Sequence, residues 1–94
     1  MNTYEKLVAL KIKSRDIDTL LASRNVLSWH HANVASGAYV EVDGETWLID
    51  PNTGERSSRL PSWRVWAIED ANRIASKYPP EVAKTILTLI GIER

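Results

Sequence analysis

The 94-residue sequence contains no cysteine and no phenylalanine. Without cysteine the chain has no disulfides, no thiolate metal ligands and no thiol nucleophile, so packing has to stabilise the fold. No apolar run approaches the roughly 20 residues that a membrane-spanning helix requires, and the N-terminal run is too short and too charged for a signal peptide. We therefore expect a single domain over residues 1–94, located in the cytoplasm and outside any membrane.

Net charge is also absent, because twelve basic residues balance twelve acidic ones. The charges are nonetheless segregated along the chain. Residues 38–55 contain five acids and no base, and residues 56–66 contain three arginines and no acid. This pattern is typical of a dipolar surface that steers a binding partner. It also fits a fold in which the two charged halves neutralise each other, and the sequence leaves both interpretations open.

Catalytic motifs are lacking as well. The four glycines are scattered along the chain, so there is no glycine-rich phosphate loop. His30 and His31 are adjacent and therefore point apart on a helix or a strand, which keeps them from binding one metal ion together. Asp43 and Asp50 lie in turns, where aspartates usually hydrogen-bond to their own backbone. We predict a protein that is not an enzyme, with no catalytic residues, no metal site and no cofactor.

The strongest local signal is a β-hairpin at residues 38–50. Asp43-Gly44 separates two runs rich in Val, Trp, Leu and Ile, which is typical of a two-residue type I′ turn. This turn pairs Val40 with Trp47 and places both on the face that we expect to cover the core, with Trp47 as its largest buried side chain. The segment Asp50–Gly54 then supplies a second turn.

Helical periodicity surrounds this hairpin. Before it, the apolar spacing favours two short helices broken near Ser14, with a strand at residues 7–13 as the alternative, and a further helix that ends at Gly37. After it, a helix begins at Ser62 or Ile68, and residues 63–68 remain open between strand and helix.

A last helix is predicted to begin at Pro80 and to stop at Gly91. Together these elements predict an α+β fold. It is a small single domain in which an antiparallel β-hairpin or three-stranded meander, at about residues 38–60, is flanked by N-terminal and C-terminal helices.

Tryptophan is abundant, with four residues in the chain. Trp63, Arg64 and Trp66 lie together shortly after Arg59. Trp and Arg are the residue types most enriched in protein-interface hot spots, and they also stack on unpaired bases and hold phosphates. The i, i+3 spacing of Trp63 and Trp66 predicts that at least one of the rings is buried. The cluster is therefore either wholly structural or also reaches a partner.

The composition and these clusters predict a small non-catalytic macromolecule-binding protein of the inhibitor or adaptor type. The expected partner is a protein, including one with a basic nucleic-acid-binding surface that an acidic hairpin would occupy by imitating phosphates. Anti-CRISPR and anti-restriction inhibitors of mobile genetic elements have this format. The oligomeric state is left open. The predicted partner-binding residues are Glu41, Asp43, Glu45, Arg59, Trp63, Arg64 and Trp66.

Two family resemblances give alternatives. Val26-x-x-Trp29 resembles the recognition helix of excisionase-like winged helix-turn-helix proteins, which implies helices at residues 15–23 and 25–36, a wing at residues 38–50 and nucleic acid as the partner. Residues 47–61 resemble the second hairpin of a WW domain. Ser58 stands where that domain has its ligand-stacking tryptophan, so we assign neither the WW fold nor the binding of proline-rich peptides.

Overall fold

The computed structural model describes residues 1–92, so the single domain expected over residues 1–94 is described except for its last two residues. Two helices precede a three-stranded antiparallel sheet and two helices follow it. The predicted α+β class is confirmed, with the meander inside residues 38–60 and helices on both sides. The bounds are α1 Thr3–Ala9, α2 Ser14–Ala35, β1 Tyr39–Val42, β2 Glu45–Ile49, β3 Arg56–Arg59, α3 Trp63–Ala75 and α4 Pro80–Ile90.

A short turn separates α1 from α2. Asn2 caps α1, since its side chain accepts a hydrogen bond from the Glu5 backbone N–H at 2.8 Å and the Glu5 carboxylate accepts one from the Asn2 N–H at 3.3 Å. Lys11, with a φ of 63°, lies in the turn. Ser14 is the first residue of α2, and Lys13 precedes it as the N-cap. The break predicted near Ser14 is confirmed, and residues 7–13 form helix and turn instead of a strand.

α2 is one continuous helix of 22 residues that ends just before Gly37. The further separate helix that the apolar spacing predicted before Gly37 is therefore wrong, and so are the separate helices at residues 15–23 and 25–36 that the winged helix-turn-helix resemblance implied. The physical reason is that residues 15–35 contain neither glycine nor proline, so nothing interrupts the backbone hydrogen bonds. None of the helices within residues 1–92 has the length and apolar character needed to cross a membrane.

Two helices, α3 and α4, follow the sheet, and local residues set the ends of α4. Residues 63–68, which were open between strand and helix, form the first turns of α3. Pro80 is the first residue of α4, where its missing N–H costs no hydrogen bond. Gly91 ends α4 in the left-handed region with a φ of 94°, and its N–H donates to the Leu87 carbonyl at 3.1 Å. Both predicted ends of α4 are confirmed.

The sheet has the predicted register. Val40 pairs with Trp47, and the strands turn through Asp43 and Gly44. These two residues have φ values of 53° and 79°, as a type I′ turn requires. In the second turn the Asp50 carboxylate accepts a hydrogen bond from the Asn52 N–H at 2.8 Å, so this aspartate binds its own backbone as expected.

The buried core lies among the helices, with Ile12 added from the turn between α1 and α2. Leu7 on α1, Leu20 on α2 and Ile86 on α4 have no exposed surface, and Ala71 and Ile74 complete the core from α3. Within residues 1–92, the core includes no residue of the sheet. The expectation that a sheet face covers the core is therefore wrong, because the four helices bury their apolar stripes against one another.

Asp16, at the start of α2, ties that end of the helix to the end of α3. The Lys77 ammonium group donates to one carboxylate oxygen and the Tyr78 hydroxyl donates to the other, both at 2.8 Å. Tyr78 also accepts a hydrogen bond from the Lys13 N–H at 3.1 Å. The hydrogen bond from Lys77 lowers the pKa of Asp16 below its ordinary value, against the opposing effect of burial. This contact sets the C-terminal half of α2 beside the first turns of α3.

Candidate partner-binding groove

The sheet rests on α2 through the face that carries Tyr39 and Glu41, which we term the inner face. The Trp29 indole N–H donates to the Tyr39 hydroxyl at 3.2 Å. The His30 Nε2–H donates to the Glu41 carboxylate at 2.8 Å, and the His30 and Tyr39 rings lie 6.1 Å apart. The sequence predicted that the opposite face would pack inward. That expectation is wrong, because polar and aromatic side chains on α2 seat the sheet.

The opposite, outer face carries Val40 and Trp47. Trp47 is half-buried, and the Arg56 guanidinium lies over its ring at 5.1 Å from the ring centre. This cation–π contact covers the ring from its own sheet instead of from the core. Trp47 is therefore partly buried and lies outside the core, in which the sequence had placed it.

A groove of about 560 Å³ lies between the sheet, the C-terminal half of α2 and the first turns of α3. Trp29, Trp63 and Trp66 line it, with 65%, 48% and 53% of their surfaces exposed. A single exposed apolar side chain needs no explanation, but a contiguous apolar set with a polar rim is typical of an interaction site. Three of the four tryptophans of the chain meet in this one groove.

The exposure of Trp63 and Trp66 follows from the position of α3. Ala67, Ala71 and Ile74 continue the same helical row and are buried, as the i, i+3 pattern predicts. The two tryptophans lie on the first helical turn, which extends past the end of the core. The prediction that at least one of these rings is buried is therefore wrong.

Acidic and basic residues of the groove are paired with each other. The Arg59 guanidinium donates to the Glu45 carboxylate at 3.1 Å. The Glu41 carboxylate, already bonded to His30, lies 3.9 Å from the Arg64 Nε. Of the two interpretations of the charge pattern, the structure shows mutual neutralisation at these positions. Because the pairs are exposed, each stabilises the fold by at most about 1 kcal/mol.

The structure brings together six of the seven residues predicted from the sequence. Asp43 is the exception: it lies in the hairpin turn next to Gly44, which does line the groove, and it makes no ion pair within residues 1–92. The six lining residues are Glu41, Glu45, Arg59, Trp63, Arg64 and Trp66.

Sequence reasoning left out other lining residues, among them Trp29, His30 and Tyr39. A signal for Trp29 exists: it lies nine positions after Leu20, about two and a half helical turns, and so on the side of α2 opposite a core residue. No sequence signal identifies His30 and Tyr39, because their contact forms only when the sheet folds back on α2.

The arrangement offers binding chemistry. Within residues 1–92, no three His, Asp or Glu side chains converge in a way that would hold a metal ion. What the groove presents is aromatic surface, indole N–H groups, two paired guanidinium groups and carboxylates at its sheet side. Comparisons of the chain with protein-family models, with curated proteins and with solved structures found no match. The geometry of the groove therefore carries the functional argument by itself.

Proposed function

We propose that the protein is a small non-catalytic binding protein of the inhibitor or adaptor type, whose protein partner docks into the tryptophan groove. One observation carries this proposal: Trp29 on α2 and Trp63 and Trp66 on α3 are all exposed and line the same groove. A protein gains nothing in stability from keeping these rings in water, whereas covering them stabilises a complex.

The groove has the anatomy of an interface hot spot. Trp29, Trp63 and Trp66 are its largest lining side chains, and each can bury roughly 150–250 Å². At about 25 cal/mol per Å² of apolar surface removed from water, even partial burial of these rings supplies several kcal/mol toward binding. Charged residues such as Glu45 and Arg59 lie among its lining residues, which matches the usual polar rim around an apolar centre.

Charge favours a protein over nucleic acid as the partner. Arg59 and Arg64 are the arginines of the groove, and each has a carboxylate of this same surface beside it. Nucleic acid binding depends on cations that neutralise phosphates and release counterions. A phosphate at this groove would have to compete with Glu41 and Glu45 for the two arginines. Nucleic acid is therefore the alternative partner, and titration with an oligonucleotide tests it.

An inhibitor of a nucleic-acid-processing protein, such as an anti-CRISPR or anti-restriction protein acting in the cytoplasm, is one form of this function. Its support is the acidic hairpin, which would imitate phosphates toward a basic partner. Because Glu41 and Glu45 are partly neutralised by arginines, the hairpin acids without an ion pair within residues 1–92 are Asp43 and Asp50, which lie in turns. The tryptophan groove therefore supports the proposal more strongly than the acidic hairpin does.

The proposal predicts that the groove selects peptide ligands. A random peptide library displayed on phage would be panned on the wild-type protein, and each enriched peptide would be measured against a Trp63→Ser, Trp66→Ser variant. We expect enriched peptides whose affinity falls at least about tenfold, or ~1.4 kcal/mol, when both rings are lost. Both side chains are exposed, so the variant should keep its helical circular dichroism.

A matched control removes apolar side chains of α1 that are exposed and do not line the groove, in a Tyr4→Ser, Val8→Ser variant. Peptide affinity should be unchanged in this control. The proposal would be overturned by a selection without enrichment, or by enriched peptides that bind the tryptophan variant as tightly as the wild type.

A further inference from the structure

We infer that the occupant of the groove is a proline-rich segment in the extended polyproline II conformation, with a lysine or arginine beside the prolines. This inference rests on the proposed function, since it names the chemistry of the partner at the same groove. It follows from three features of the groove: its aromatic surfaces, the free N–H donors of Trp63 and Trp66, and the position of its carboxylates.

The aromatic surface fits the rings and carbonyls of a proline-rich chain. Trp63 and Trp66 lie one turn apart on α3, with Cβ atoms about 5–6 Å from each other, and Trp29 faces the groove from α2. The Trp29 N–H is bonded to Tyr39. Within residues 1–92 the N–H groups of Trp63 and Trp66 have no such partner. A polyproline II chain has no internal hydrogen bonds, so its carbonyls are free to accept them.

The free N–H donors of the groove favour an extended chain over a helix. In an α-helix the backbone carbonyls, except those of the last turn, are already bonded within the helix and cannot accept hydrogen bonds from the Trp63 and Trp66 indoles. A short contact also leaves little binding energy to offset the ordering of a flexible ligand. Proline-rich segments are already extended before they bind, and aromatic-lined grooves are their usual receptors.

Charge complementarity places the basic residue at the sheet side. Glu41 and Glu45 line the groove, and Asp43 adjoins it at the hairpin turn. Asp43 has no ion pair within residues 1–92, so its carboxylate is available to a cation from the partner. A phosphate would have to compete with Glu41 and Glu45 for Arg64 and Arg59, and the unpaired Asp43 would repel it. This separates the proposed ligand from a single-stranded nucleic acid, which would also stack on tryptophan.

The sequence-based exclusion of proline-rich ligands rested on Ser58, which occupies the position of the stacking tryptophan in a WW domain. Ser58 lies in β3 and does not line the groove. In the structure the aromatic rings come from α2 and α3 instead. An aromatic surface of the kind that binds proline-rich segments is thus present in a fold other than the WW domain.

The test is a titration with a synthetic peptide of alternating proline and leucine that ends in two arginines. Indole N–H signals of the four tryptophans would be followed by nuclear magnetic resonance. We expect the signals of Trp29, Trp63 and Trp66 to shift while that of Trp47, on the outer face, stays in place as an internal reference. A peptide with alanine in place of every proline should bind at least about tenfold more weakly.

Two pairs of variants sharpen the result. Trp66→Phe keeps an aromatic ring and removes the N–H, so it should weaken binding less than Trp66→Ala does. Asp43→Lys should lower affinity for the arginine peptide several-fold. Glu55→Lys makes the same charge change at the other end of the sheet, outside the groove, and should leave affinity unchanged.

The outcomes separate this inference from the proposed function. If the phage selection enriches groove-dependent peptides that lack proline, the inference is overturned and the proposed function stands. If selection enriches nothing and the proline peptide shifts no indole signal, both fall. A single-stranded oligonucleotide that shifts the three groove signals, with an affinity that falls steeply with salt, would overturn both in favour of nucleic acid.

Discussion

At the scale of single residues, the buried Asp16 carboxylate shows how one charge positions two helices. Its side chain is 5% exposed, and the Lys77 ammonium group lies 2.8 Å from it. Burial of a carboxylate is unfavourable unless hydrogen bonds replace the lost water. Lys77 and Tyr78 provide those bonds from the end of α3, so the charge is tolerated and α2 and α3 are fixed relative to each other.

The lowered pKa of Asp16 predicts how stability depends on pH. The stabilisation from the ionised carboxylate is present above its ordinary pKa of 3.8 and is lost as the pH falls through the lower pKa of the folded state. Asp16→Asn should therefore reduce the free energy of unfolding at neutral pH by about 1–2 kcal/mol and flatten its decline in acid. The value is modest because Lys77 is half exposed and water screens the pair.

Urea unfolding of both proteins over a pH series would measure this effect. Asp18→Asn is the matched control. Asp18 lies two residues after Asp16 in α2, is exposed and has no ion pair within residues 1–92. It should leave the acid decline unchanged. Parallel acid declines for wild type and Asp16→Asn would contradict the assignment.

At the scale of elements, α2 performs two tasks along its length. Its first half supplies Ile17 and Leu20 to the core, and its last buried residue is Ser23. Its second half carries Trp29 and His30, which seat the sheet and line the groove. A continuous helix is a rigid support, so the core at one end holds the groove at the other.

The unequal packing of helices and sheet predicts unequal costs of truncation. Leu20→Ala should lower the free energy of unfolding by about 2–5 kcal/mol, because it opens a cavity in the helical core. Trp47→Ala should cost less despite removing a larger side chain, because Trp47 is only partly buried and lies outside the helical core. The contact with Arg56 that it loses is worth about 0.5–1 kcal/mol. Urea unfolding of the two variants would compare them, and an equal or larger loss for Trp47→Ala would show that the sheet belongs to the core.

At the scale of the whole molecule, the chain is elongated, with extents of 49 × 25 × 23 Å. The helical core fills one end, and the sheet with the groove forms the other. Burial differs accordingly, since Leu7, Leu20 and Ile86 are fully covered while no sheet residue is part of the core. Binding surfaces are commonly drawn from the less stable parts of a fold, and this division fits the proposed function.

This division predicts two levels of local stability. Backbone amides in the sheet, such as Ile49, should exchange with solvent through openings of lower free energy than amides of the core helices, such as Leu20. The reason is that few buried apolar contacts hold the sheet in place. Native-state hydrogen exchange would measure both. Equal protection of sheet and helices, approaching the global free energy of unfolding, would mean that the chain opens as one cooperative unit.

The sequence by itself determined the local features of this protein. Asp43-Gly44 set the hairpin turn and register, and Pro80 and Gly91 set the ends of α4. The helical spacing of apolar residues around the hairpin set the α+β class. These features depend on the conformations that one residue or its near neighbours allow, so the chain specifies them without its fold. Six of the lining residues were also recognised, because Trp and Arg cluster along the chain and acidic residues are concentrated in the hairpin.

Only the tertiary structure decided which surfaces face inward. An apolar strand face such as that of Trp47 normally indicates a core. In this protein the apolar faces of the helices bury one another, and the sheet packs on α2 through Tyr39 and Glu41. The groove depends on the same choice, because Trp29 meets Trp63 only when α3 folds back along α2. Burial is settled by competition among all apolar surfaces of the chain, and no local pattern contains the outcome of that competition.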